Sequence, residues 1–93
     1  MELEYDHAKR LAAIAERGID FEDAALVFNG PRRITWTDNR QDYGEVREIT
    51  VGELDGRLVV IAHTTRGEVT RIISMRKANE REICRFEKQF AED

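Results

Sequence analysis

Apolar residues recur with a helical period through the first third of the chain and alternate with polar ones through most of the rest. Asp6 is a good N-cap, and behind it Ala8, Leu11, Ala12 and Ala15 fall at i, i+3, i+4 and i+7. This predicts one helix with a single apolar stripe, stopped by Gly18. Asp20 caps a second, short helix in which Glu22 and Asp23 suit the positive end of the dipole. Its apolar residues are Phe21, Ala24, Ala25, Val27 and Phe28, and Asn29-Gly30-Pro31 ends it. Residues 33–37 alternate weakly and predict an edge strand, and the polar stretch 38–44 reads as a loop. Three stronger strand segments follow at 45–53, 57–65 and 68–76. Asp55-Gly56 is a strong hairpin signal between the first two; Arg66-Gly67 is a weaker one, because arginine disfavours positive φ. From Ala78 the helical period returns, with Ile83, Phe86 and Phe90 inward. The order predicts a single α+β domain over residues 1–93: two N-terminal helices, a four-stranded antiparallel sheet and a C-terminal helix.

Two-residue turns would set Leu54 opposite Arg57 and Thr65 opposite Glu68. One face then carries Ile49, Val51, Leu58, Val60, Ile73 and Met75 as a core face. Arg47 and Arg71 stand at its far end beside Ala62 and Thr64, small residues that leave a hollow between two guanidinium groups. The other face is half solvated, with Glu48, His63 and Thr70 in one row and Thr50, Ile61, Ile72, Ser74 and Arg76 beyond it. Arg71 and Arg76 are thus expected on opposite faces. Glu48 opposite His63 is the sharpest chemical feature, since a carboxylate can fix an imidazole tautomer and raise its pKa for acid–base work. The same two residues also read as an ordinary polar cross-strand pair. For Arg71 the alternatives are an anion-binding role and a salt bridge to Asp6 or Glu4.

Composition narrows the classes. Ninety-three residues, 41% hydrophobic and 37% charged, suffice for one modest core under a highly charged surface. No apolar stretch approaches the roughly 20 residues needed to span a bilayer. The N-terminus MELEYDHAKR has no signal-peptide core, so a cytoplasmic setting without membrane contact is expected. The lone Cys84 allows no disulfide framework and is expected as a partly buried filler. No His, Asp and Glu cluster has metal-ligand spacing and no glycine-rich phosphate loop occurs, so neither a metal nor a cofactor is expected. The formal charge is −4, but it is unevenly spread. Residues 1–30 are mainly acidic, whereas residues 66–85 hold Arg66, Arg71, Arg76, Lys77, Arg81 and Arg85 against three glutamates. This distribution reads either as a local anion site in an acidic chain or as a solvated, mixed-charge surface.

An ordered series of short motifs resembles the BrnT toxins of bacterial type II toxin–antitoxin systems. It runs from Glu4-Tyr5-Asp6 and Lys9 through Gly18-Ile19, Phe21 and Ala25 to Phe28. It continues with Gly44-Glu45, Arg47, Gly52 and His63-Thr64-Thr65-Arg66-Gly67. It is most specific at Arg71-Ile72-Ile73-Ser74-Met75-Arg76-Lys77-Ala78, followed by Glu82. The chain departs from the family pattern at Tyr5, Ala13 and Glu16-Arg17. The resemblance implies a RelE-like fold and a ribonuclease that arrests translation by metal-free cleavage, the RNA's own 2′-hydroxyl attacking the adjacent phosphate. It also implies a BrnA-like ribbon-helix-helix antitoxin in a 2:2 complex, with promoter DNA bound only through that antitoxin. On this reading His63 is the general acid or base, Glu48 orients it, and Arg47 and Arg71 stabilise the transition state. Arg66, Ser74, Arg76 and Lys77 hold the RNA phosphates. The rival reading is a decayed toxin that serves as an antitoxin-binding co-repressor.

Overall fold

The computed structural model describes residues 1–92. The elements are β1 (Glu2–Glu4), α1 (His7–Arg17), a 3-10 turn (Phe21–Asp23) leading into α2 (Ala24–Phe28), β2 (Arg33–Thr37), β3 (Glu48–Leu54), β4 (Arg57–Arg66), β5 (Val69–Lys77) and α3 (Glu80–Glu92). The strands lie in the order β1-β5-β4-β3-β2, antiparallel throughout except for the parallel pair β1–β5. The α+β class is the expected one, but the sheet has five strands, not four. β1 is three residues long, too short for alternation to reveal, and it exists through its pairing with β5.

The predicted caps form. The Asp6 side chain accepts from the Lys9 amide, Gly18 takes φ +66° and closes α1, and the Asp20 carboxylate accepts from the Glu22 amide. The stripe predicted on α1, however, points outward: Leu11 is 62% exposed, and Ala8, Ala12 and Ala15 are exposed with it. Ala13 faces the core instead, between Arg10 and Arg17. Arg10 forks onto the Asp20 carboxylate at 2.7 and 2.9 Å, and Arg17 reaches the Met75 carbonyl at 3.4 Å. Periodicity misjudged this helix because long arginine stems can line a buried face while their charged ends find partners.

Both faces of the sheet are covered. On one, Ala13, Ile19, Phe21, Ala24 and Val27 pack on Val59, Ile61, Ile72 and Met75. Gly52 permits this approach, since a Cβ there would stand 2.5 Å from Val27 Cγ1. On the other face α3 lays Phe86 over Ile49, Val51, Leu58 and Val60, with Phe90 partly buried beside it. Ile83, expected inward, is 38% exposed, and Cys84 is exposed too.

The β3–β4 hairpin has the expected register, Leu54 opposite Arg57 and Glu48 opposite His63. Asp55 (φ +51°) and Gly56 (φ +79°) both take the positive φ of a type I′ turn. Gly56→Ala would place a Cβ in open space, so its cost is backbone strain alone, about 1 kcal/mol. Thermal unfolding should read this as a loss of roughly 4–8 °C.

The β4–β5 hairpin differs from expectation twice. Its turn is Gly67-Glu68, which gives the positive φ (+64°) to glycine and pairs Arg66 with Val69. The register then slips between Ala62 and His63: His63 faces Ile72, but Ala62 faces Ser74. Ile73 is the extra residue of a β-bulge, and beyond it every β5 side chain changes face. Met75, predicted on one face with Ile49, Val51, Leu58 and Val60, is instead fully buried on the other, beneath α1 and α2 and opposite Ile61. Ser74 and Arg76 move to the α3 face, opposite Ala62 and Val60.

Candidate active site

The bulge brings Ser74 and Arg76 to the face that already holds the other predicted arginines. Arg71 opposite Thr64, Ser74 opposite Ala62 and Arg76 opposite Val60 share the α3 face of the sheet, and Arg66 opposite Val69 lies at its end. Arg47, one residue before β3, extends the row Thr64–Arg71–Glu4. Arg71 and Arg76 are thus on the same face, contrary to the simple count. Lys77 lies opposite Val59, on the reverse side.

Each arginine is held by a specific partner. Arg71 donates to the Glu4 carboxylate of β1, the salt bridge that was one of its two sequence readings. Arg66 lies 3.7 Å from Glu4 and 3.6 Å from Glu45. Arg76 forks onto Glu82 at 2.7 and 2.8 Å. Glu82 also accepts from the Asn79 amide, while the Asn79 side chain accepts from the Glu82 amide. This reciprocal capping box starts α3 and ties Arg76 to its first turn. The paired guanidinium draws the Glu82 carboxyl down to about 2.

Arg47 is organised by the loop that leads to it. Asp38 is buried and accepts from Arg40 Nε and Nη2, both at 2.8 Å, and from the Tyr43 hydroxyl at 3.0 Å. The Arg40 fork holds this carboxyl well below the usual carboxylate range. Arg47 Cζ in turn lies over the Tyr43 ring, 4.0 Å from the ring centroid. Arg47 Nε is buried without a hydrogen-bond partner among the described residues. The predicted loop is therefore built around one carboxylate; sequence reasoning saw only its polarity, because contacts such as Asp38 to Tyr43 leave no periodic signal.

His63 and Glu48 occupy the opposite face. His63 is 5% exposed, its ring set edge-to-face on Phe28 of α2 at 4.8 Å. Its Nε2 hydrogen-bonds Thr50 Oγ1 at 2.7 Å, and Thr50 Oγ1 meets Thr35 Oγ1 at 2.7 Å. No hydrogen bond joins it to Glu48, and its Nδ1 is buried without a partner among the described residues. Burial pushes the imidazole pKa down, against a weaker upward pull from Glu48. The expectation of a raised pKa is reversed, because the face thought to be half solvated is roofed by α2. A substrate on the α3 face is separated from His63 by the sheet itself.

A cleft of about 380 Å³ opens on the α3 face, lined by Trp36, Asn39, Arg40, Ile49, Arg76 and Glu82 among others. Trp36 also walls a second cleft of about 330 Å³, with Arg85 and Gln89 of α3. Trp36, Arg40 and Arg85 are absent from the sequence-predicted site. Edge-strand alternation alone could have put Trp36 on the same face as Ile34. Among the described residues no three His, Cys, Asp or Glu side chains group as metal ligands, and no helix is long and apolar enough to cross a membrane.

A small α+β domain with arginines gathered beside a cleft on one face of its sheet has the make-up of a protein that handles a polyanion. The family model for BrnT, the ribonuclease toxin of type II toxin–antitoxin systems, matches residues 5–82, and the chain belongs to that family. It is accordingly a ribonuclease toxin with a cognate antitoxin. No curated protein matches the chain.

Proposed function

We propose that the α3 face of the sheet is the RNA-cleaving surface and that it works without a metal. The RNA's 2′-hydroxyl attacks the adjacent phosphorus and the P–O5′ bond breaks. A 2′,3′-cyclic phosphate and a 5′-hydroxyl remain. The supporting observation is the bulge at Ile73, which turns Ser74 and Arg76 to the face that already holds Arg71, Arg66 and Arg47. Guanidinium donors gathered on that face can take the charge that develops on the phosphorane oxygens. Arg47 and Arg71 bracket the scissile phosphate, and Arg66 and Arg76 with Ser74 hold its neighbours. As Arg71 turns to the phosphate it releases Glu4, whose carboxylate accepts the 2′-hydroxyl proton; the departing 5′-oxygen takes a proton from solvent. Buried His63 is a core residue on this reading, with Glu48 beside it.

The antitoxin is a BrnA-like ribbon-helix-helix protein that covers this face and alone contacts promoter DNA. Ribbon-helix-helix domains pair, so the complex is 2:2. Light scattering of the purified pair should give that mass, and a 1:1 species at every concentration rejects the assembly.

The reaction is tested on the chain freed of antitoxin, with RNA and excess EDTA, by mass spectrometry of the product ends. Cyclic phosphate ends support the mechanism, and 3′-hydroxyl ends reject it. Induction of the gene alone should arrest growth. A chain that binds antitoxin yet leaves growth and RNA intact is the decayed co-repressor instead.

A further inference from the structure

We propose that Trp36 is a base-stacking subsite that selects single-stranded RNA, an assignment that rests on the α3 face being the RNA surface. Trp36 is the only tryptophan in the chain, yet it is 48% exposed on the edge strand β2. It sits opposite Ile49, in the row that continues through Ala62 to Ser74, so it stands beside the arginine face. Open clefts of about 380 and 330 Å³ both reach its side chain. The larger holds Arg40, Arg76 and Asn39; the smaller holds Arg85, which makes no ion pair among the described residues.

These surroundings favour a nucleic acid over an apolar protein segment. An indole offers a face on which any base stacks, the Asn39 amide can meet a base edge, and the guanidiniums supply phosphate contacts to either side. A base within a duplex is stacked on its neighbours and cannot enter, so the subsite admits unpaired strands. Trp36 thus positions the strand while the arginine row acts on it.

The test uses the full chain freed of antitoxin and a 2′-O-methyl oligonucleotide, which cannot be cleaved. Titration should quench the intrinsic fluorescence of Trp36 saturably, and the same sequence as a duplex should leave it unchanged. Trp36→Ala should weaken single-strand binding about tenfold or more, while Trp36→Phe keeps most of it. Circular dichroism establishes that the variants fold, and the wild-type quench stands independently of them. Arg71→Ala in the same assay separates the two claims. If that variant loses binding while Trp36 is neither quenched nor needed, the RNA face stands and the stacking subsite is overturned. No binding by the wild-type chain overturns both. A Trp36→Ala protein that loses antitoxin affinity but keeps RNA affinity assigns the indole to the protein partner and overturns the subsite.

Discussion

Arg71→Lys is expected to fold, to bind antitoxin and to cleave RNA about a hundredfold more slowly, roughly 3 kcal/mol in barrier. Arg71 lies in the row Arg47–Thr64–Arg71–Glu4, with its side chain 29% exposed and oriented by Glu4. A guanidinium there can present two parallel donors to a phosphate; an ammonium keeps the charge but loses the planar fork. The stability cost is small, because the Glu4 side chain is 42% exposed and such a pair contributes under about 1 kcal/mol. Arg71→Ala separates the two roles that the residue can have. If Arg71 acts only by tethering β1 to β5, the variant should unfold at lower temperature and retain its rate per folded molecule. If Arg71 meets the phosphate, the rate falls far more than the melting temperature. Full toxicity in a stably folded Arg71→Ala chain removes Arg71 from the site.

The arginines were legible in the sequence as residues but not as a surface. Arg47, Arg66, Arg71 and Arg76 carry the signal of local charge in an acidic chain, and the β3–β4 register follows from Asp55-Gly56 by counting. What counting missed is the bulge. An extra residue in a run as apolar as Ile72-Ile73 leaves alternation looking intact, yet it reverses the face of Ser74, Met75 and Arg76. The one-residue shift of the β4–β5 turn is more accessible, since Gly67 accepts positive φ where Arg66 does not.

The burial of His63 escapes the sequence for a different reason. Its pairing with Glu48 was read correctly, but a cross-strand partner does not say what roofs the face. That depended on α2, whose Phe28 lies over the imidazole and whose Val27 fits against Gly52. Likewise β1 and the inward face of α1 depend on tertiary contacts, Glu4 with Arg71 and Arg10 with Asp20, between residues far apart in the chain or hidden in a polar pattern.

Folding stability should fall as pH drops below about 6.5, and His63 should be the cause. Burial against Phe28 lowers the imidazole pKa in the folded chain below its ordinary 6.5, with Glu48 opposing only in part. Between 6.5 and that lowered value the unfolded chain carries the proton and the folded chain does not. The unfolded state therefore binds more protons, and acidification favours it by up to about 1.4 kcal/mol per pH unit. Above 6.5 both states are neutral at this ring and its contribution is flat. Carboxylates act lower. Glu82, drawn down to about 2 by Arg76, and Asp38, lowered by Arg40, lose their contributions only as pH falls from the ordinary carboxyl range near 4 toward their lowered folded values. A slope between pH 6.5 and 5 thus reports the imidazole. Urea unfolding at pH 7.5, 6.5, 5.5 and 5.0 should show it in the wild-type chain. His63→Gln keeps a hydrogen-bonding group near Thr50 but cannot titrate, so its stability should be nearly flat over the same window. A wild-type chain equally stable at pH 7.5 and 5.0 would mean that the ring takes up its proton while folded, and would reopen His63 as an acid–base group.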